Sequence, residues 1–225
     1  MIRDNYGDGS MNESDRDLAG AVAAHRALEA SLATLTDAQV VAPSLLPDWT
    51  VGHVLTHIAR NADSFVLMLD AAARGEVGAQ YPGGRPQRNA DIDAGAARTA
   101  DAVRDDVARS NAVLETAFSV ASAGGWVGEG DSVLGRLPMA ELPFRRWRET
   151  VVHHADAGLD FTWRAWPDDY VRIELHRMTM LWNSRQSMGL TGLPEGALAV
   201  DAHMRLAWLM GRISIDGLGP AGLMG

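Results

Sequence analysis

The chain has 225 residues, 47% of them hydrophobic, and a formal net charge of −9. That length suits one large domain or a medium domain with a small one attached, and the acidic balance excludes the basic stripe of a nucleic-acid-binding surface. Cysteine is absent and all 20 basic residues are arginine, which excludes disulfides, cysteine–zinc sites and a protein thiol nucleophile.

An arginine-only basic set in an alanine- and glycine-rich chain points to a GC-rich genome of the actinobacterial kind. An anionic substrate would have to be held by local arginines rather than by the overall field. No apolar run reaches the roughly 18–20 residues of a membrane span. The first ten residues lack the apolar core of a signal peptide. The expectation is a cytoplasmic protein without membrane or nucleic-acid partners, a monomer or small homo-oligomer.

Residues 1–12 are polar and read as a flexible tail. Ser14 offers a helix cap. Leu18, Val22, His25, Leu28, Leu32 and Leu35 then recur at three- and four-residue steps, which predicts an amphipathic helix of about five turns. His25 lies on its apolar side and reads as a core histidine. Pro43 and Pro47 place a short helix and a loop over residues 36–49. Thr50 is a good N-cap for a second helix running to Ala73, with Val54, Ile58, Ala62, Phe65 and Leu69 as its core stripe. Residues 74–89 are a loop of turn formers. A third helix is expected over about 90–122, with Ile92, Ala96, Val103, Val107, Leu114 and Ala117 facing inward and Gly124-Gly125 ending it. Residues 126–140 read as a β-hairpin or extended loop, and 140–160 as a fourth helix.

Four such helices with modest loops predict a bundle, whose metal sites are built by inward side chains of facing helices. Beyond Trp163 the composition shifts. A helix is expected from Trp166 to about Met188, strands over 197–203 and 212–215, a short helix over 205–210, and a glycine-rich tail. The fold class is mainly α with a small α/β part: residues 13–165 a helical bundle, residues 166–225 a small α/β C-terminal domain.

Glu149 and His153 are four residues apart, on one face of the fourth helix and one turn from each other. So placed, a carboxylate and an imidazole bind one cation, with ligand atoms about 2.0–2.2 Å from zinc. A third ligand is needed, and the second helix offers His57. His53, one turn earlier, is the alternative partner. The lone His176 has no evident role.

The stretches LLPDWTVGHVLTHIARNADSF (residues 45–65) and RWRETVVHHADAGLDF (146–161), with WPDDYV (166–171) and the pair Gly211-Arg212, resemble the mycothiol-dependent maleylpyruvate isomerase family. The resemblance covers nearly the whole chain beyond the first dozen residues. It implies a DinB-like metal-binding four-helix bundle followed by a small sterol-carrier-like domain. Its zinc ligands fall on His57, Glu149 and His153, so His53 is left out. It further implies cofactor-facing roles for Asn61, Arg146, Arg148 and Asp156, with orientation of a metal ligand or a plain helix-structural role as the alternatives for Asn61 and Asp156, and a catalytic role for Arg212 of the C-terminal part. The implied cofactors are zinc and mycothiol, and the implied partners are an anionic small molecule and a low-molecular-weight thiol. The implied reaction is cis–trans isomerisation of maleylpyruvate to fumarylpyruvate by a thiolate that adds and then leaves. Thiol transfer to another electrophile, metal-dependent hydrolysis and a non-catalytic metal- or ligand-binding role are the alternatives.

Overall fold

Helix caps set the frame. In this computed structural model, which describes residues 12–133, 135–185 and 192–223, helix α1 (Glu13–Ser31) begins at Asn12, whose side chain accepts from the Asp15 amide. The cap is therefore Asn12, and Ser14 lies inside the first turn. A short helix α2 (Asp37–Val40) carries a capping box between Thr36 and Gln39. Helix α3 (Val51–Ala73) starts at Thr50 as the sequence predicts, and His53 closes a second capping box there. That role engages His53 Nδ1 with Thr50.

The expected third helix is two. Helix α4 (Gly84–Gly95) and helix α5 (Ala100–Ala123) are separated by a corner at which Thr99 caps α5. Gly52 makes that corner possible. A Cβ on it would lie 2.0 Å from the Ala96 carbonyl oxygen, so only glycine lets α3 pass so close. Strands β1 (Gly78–Ala79), β2 (Glu129–Ser132) and β3 (Gly135–Pro138) form a small sheet, β1 parallel to β2 and β2 antiparallel to β3, with Gly130 opposite Leu137. Helix α6 (Leu142–Asp156) has Pro143 in its first turn. Gly158, at φ 71°, turns the chain out at its end.

Helices α1, α3, α5 and α6 are the bundle, α3 packing on α5 and α6, and α1 on α6 and α5. Two apolar clusters fill it. One centres on Leu28, Val54, Leu55, Ile58 and Val107, the other on Phe65, Met68, Leu114, Phe118 and Leu142.

The C-terminal part differs from expectation. It contains α7 (Asp168–Arg185), α8 (Glu195–Leu198) and α9 (Ala202–Leu209), and no strand among its described residues. The stretch expected as a strand over 197–203 instead belongs to α8 at its start and to α9 at its end, where Asp201 caps α9 by accepting from the Met204 amide at 2.8 Å. The sheet of the mixed part thus belongs to the segment between α3 and α6. Phe144, Trp147 and Val151 of α6 share one apolar cluster with Trp166, Tyr170, Leu206 and Trp208. Each fully buried side chain such as Phe144 or Leu206 contributes about 1.5–3 kcal/mol. The tail expected over residues 1–12 lies, apart from Asn12, outside the described residues.

Candidate metal centre

Helices α3 and α6 bring His57, Glu149 and His153 together. One ligand atom from each lies within 4.8 Å of the others. Glu149 Oε2 is 3.1 Å from His57 Nε2 and 3.6 Å from His153 Nε2. Ligand atoms around one tetrahedral ion at about 2.0–2.2 Å would be about 3.3–3.6 Å apart. The spacing therefore fits a divalent cation with a further position open. The imidazole rings of His57 and His153 meet edge to face, with centroids 4.7 Å apart, and Trp49 packs on His57 at 5.7 Å.

The protonation states also suit a cation, which needs neutral imidazoles and an ionised carboxylate. Burial pushes His57 down to about 4, and the charges of His153 and Arg88 add to the shift. For Glu149, burial works upward. The hydrogen bond from His57 and the charges of His153, His57 and Arg146 outweigh it, holding the carboxyl well below the usual range.

The surroundings sort the remaining expected residues. Asp156 is buried and accepts from His153 Nδ1 at 2.9 Å and from Arg212 Nε and Nη2 at 2.9 and 2.7 Å. It is placed to orient a candidate ligand, one of the roles the resemblance implies. Arg212 also donates to the Met210 carbonyl; it reaches the centre only through Asp156, not as a group aimed at a reacting atom.

Arg146 is a correction. It is fully buried, and its donors go to His25, the Ile58 carbonyl, Asn61 and Asn111 at 2.7–2.9 Å, so it cannot face a cofactor. It ties α6 to α1, α3 and α5. Asn61 is buried as the acceptor of that arginine. Arg148 pairs with the buried Glu174 of α7 at 2.7 Å. Asn61, Arg148 and Glu149 nevertheless line one small cavity of about 120 Å³. His154 is buried against Ser31 and stacked on Phe161 with ring centroids 4.0 Å apart, and His25 is a core histidine between Arg146 and Glu115.

Arg88 was not foreseen. It lies on α4, in a stretch read partly as loop, and its Nη2 donates to His57 Nδ1 at 3.1 Å. A guanidinium only donates, so holding a cation through His57 Nε2 requires this arginine to draw back. Its signal in the sequence was slight: an arginine 31 positions beyond His57, next to turn formers.

Two histidines and one glutamate on facing helices of the bundle, at cation-ligand spacing, make a candidate metal centre. Residues 21–158 match the family model described as the mycothiol maleylpyruvate isomerase N-terminal domain, and the chain belongs to that family. Two solved structures share its fold. The crystal structure of the mycothiol-dependent maleylpyruvate isomerase is 24% identical, with TM-score 0.78 over 89% of this chain and 90% of that one. A histidine-to-alanine mutant of that isomerase is 23% identical, with TM-score 0.77 over the same shares. No curated protein sequence matches the chain significantly. Among the described residues no helix is long and apolar enough to cross a membrane.

Proposed function

We propose that this chain is a zinc- and mycothiol-dependent cis–trans isomerase of the maleylpyruvate type, with His57, Glu149 and His153 as the metal ligands. The observation that carries the reading is the fit of those three side chains to one divalent ion. A divalent cation held there would supply the Lewis acidity that favours a thiol in its thiolate form near neutral pH. Mycothiol would supply the sulfur whose addition to a conjugated cis double bond, followed by its loss after rotation, gives the trans isomer. The absence of cysteine from the chain agrees with a thiol brought from outside.

The chain's own residues have three tasks in this reading. Glu149 contributes one negative charge and the neutral histidines none, so a dication retains net positive charge toward an incoming thiolate. Asp156 holds His153 by Nδ1 and leaves Nε2 to point at Glu149. Trp49 and the buried α3 face keep water away from His57, which is 5% exposed.

The test is turnover of maleylpyruvate by zinc-loaded protein with and without mycothiol, following fumarylpyruvate. Thiol-dependent conversion that is lost on chelation is the expected result. No conversion while zinc stays bound would overturn the isomerase assignment.

A further inference from the structure

Beside the metal centre lies a cavity of about 550 Å³ between α3, α4 and the β1 loop, lined among others by Arg60, Gln80, Tyr81, Arg88 and Arg98. That volume is in the range of small-molecule sites. It adjoins the centre in two ways. Arg60 is one helical turn beyond His57 on α3, and Arg88 touches His57 directly.

Its charges are arranged around one buried carboxylate. Asp106 of α5 is 2% exposed. Its Oδ1 accepts from Arg60 at 2.8 Å and also from Arg109, and its Oδ2 accepts from Arg98 at 2.7 Å. Arg98 is held further by the Gly95 carbonyl and Thr56, and Arg60 by Asp63 at 2.9 Å. The bonds to Asp106, Asp63, Gly95 and Thr56 all use Nε or Nη2. Nη1 of neither arginine makes a hydrogen bond among the described residues, while both side chains remain partly exposed, 25% and 31%. Three arginines line the cavity against two aspartates, and of these Asp91 is exposed and accepts from Gln87. Two fixed guanidinium groups with spare donors, beside a reaction centre in an otherwise acidic protein, suit a carboxylate.

We propose that Arg60 and Arg98, held in place by Asp106, form a carboxylate-binding pair that anchors the anionic end of the electrophile in this cavity. The proposal rests on the reading of the triad as the reaction centre, and it places the carboxylate end of the electrophile toward Arg60 and Arg98. Asp106 acts in advance. By fixing the two guanidinium groups it removes the side-chain entropy that an arginine would otherwise lose on binding.

The test is calorimetric titration of zinc-loaded protein with maleate and, separately, with the neutral maleamide, in the absence of thiol. Without cysteine the protein offers these alkenes no thiol to react with. Maleate is expected to bind and maleamide to bind far more weakly. Arg60→Gln and Arg98→Gln, both at partly exposed positions, are each expected to weaken maleate binding about tenfold or more, with zinc content and circular dichroism unchanged. Maleate affinity equal in wild type and both variants would overturn the pair. So would equal affinity for maleate and maleamide, no maleate binding by the wild type, or binding abolished by chelation alone. Because no thiol and no turnover are involved, the outcome is separate from that of the isomerase test. A protein that binds maleate through these arginines yet does not isomerise keeps this proposal and loses the other.

Discussion

Arg212 and Asp156 form a bidentate ion pair, Nε to Oδ1 at 2.9 Å and Nη2 to Oδ2 at 2.7 Å. Asp156 Oδ2 also accepts from His153 Nδ1 at 2.9 Å. Burial alone would raise the Asp156 carboxyl, but the hydrogen bonds from His153 and Arg212 and their charges hold it below its ordinary value. It is therefore an acceptor at neutral pH, and it engages His153 through Nδ1, leaving Nε2 on the side of Glu149. The segment after α9 thus reaches the candidate centre through a single buried carboxylate.

Removing that carboxylate should weaken metal binding. Asp156→Ala is expected to lower zinc affinity by about 10- to 100-fold, the usual effect of losing the partner of a histidine ligand. Arg212→Ala should lower it less, since Asp156 stays in place. Competition against a chromophoric chelator measures both. Unchanged affinity in Asp156→Ala would remove Asp156 from the support of His153.

His57→Ala should abolish stoichiometric zinc binding and leave helical content nearly intact. His57 is interior to α3, where alanine is the best helix former, and the helix keeps its Thr50 cap. Metal analysis beside far-ultraviolet circular dichroism decides it. One zinc per chain in the variant would exclude His57 as a ligand.

What the sequence disclosed and what it hid follow from the range of the forces involved. The Glu149–His153 step, the Thr50 cap and the hairpin around Gly130 are local features, readable from spacing and turn chemistry. The break between α4 and α5 was masked because Ile92, Ala96, Val103 and Val107 keep a helical period across it; Thr99, which caps α5, was the available sign. The strand expected over 197–203 rested on a short apolar run that cannot separate strand from helix, and Asp201 decided for helix. Arg146 was misplaced because arginine is rarely buried. Yet it shares the inward stripe of Glu149 and His153, three and seven residues before them. The cluster of Arg60, Arg88, Arg98 and Asp106 joins three helices, and no local spacing announces it.

Arg146 should matter for stability more than any surface arginine. Its guanidinium stays charged at neutral pH although burial lowers it to about 10. It satisfies His25, the Ile58 carbonyl, Asn61 and Asn111 at once. Arg146→Met fills similar space but leaves His25 Nε2 and the Asn61 and Asn111 side-chain oxygens without their donor in the bundle interior. The expected loss is about 3–5 kcal/mol, read from urea unfolding of metal-free protein. A loss below about 1 kcal/mol would show that the network is replaceable by packing.

Acid should destabilise the fold through buried histidines that are not among the candidate metal ligands. Burial and the charge of Arg146 push His25 down to about 2, and burial pushes His154 down to about 4. In the unfolded chain both titrate near about 6.5. Below that pH the unfolded state binds more protons than the native one, so stability rises with pH and falls on acidification. For His154 the loss runs from about 6.5 to about 4, and for His25 it continues to about 2. Each group adds up to about 1.4 kcal/mol per pH unit within its window. Urea midpoints of metal-free protein between pH 7 and 4.5 should therefore fall, and the fall should be shallower in His154→Gln, which replaces the titrating ring with a neutral amide able to reach Ser31. A slope identical to wild type would mean that His154 is protonated as readily in the native state as in the unfolded chain, and that its burial against Ser31 and Phe161 does not exclude the charge.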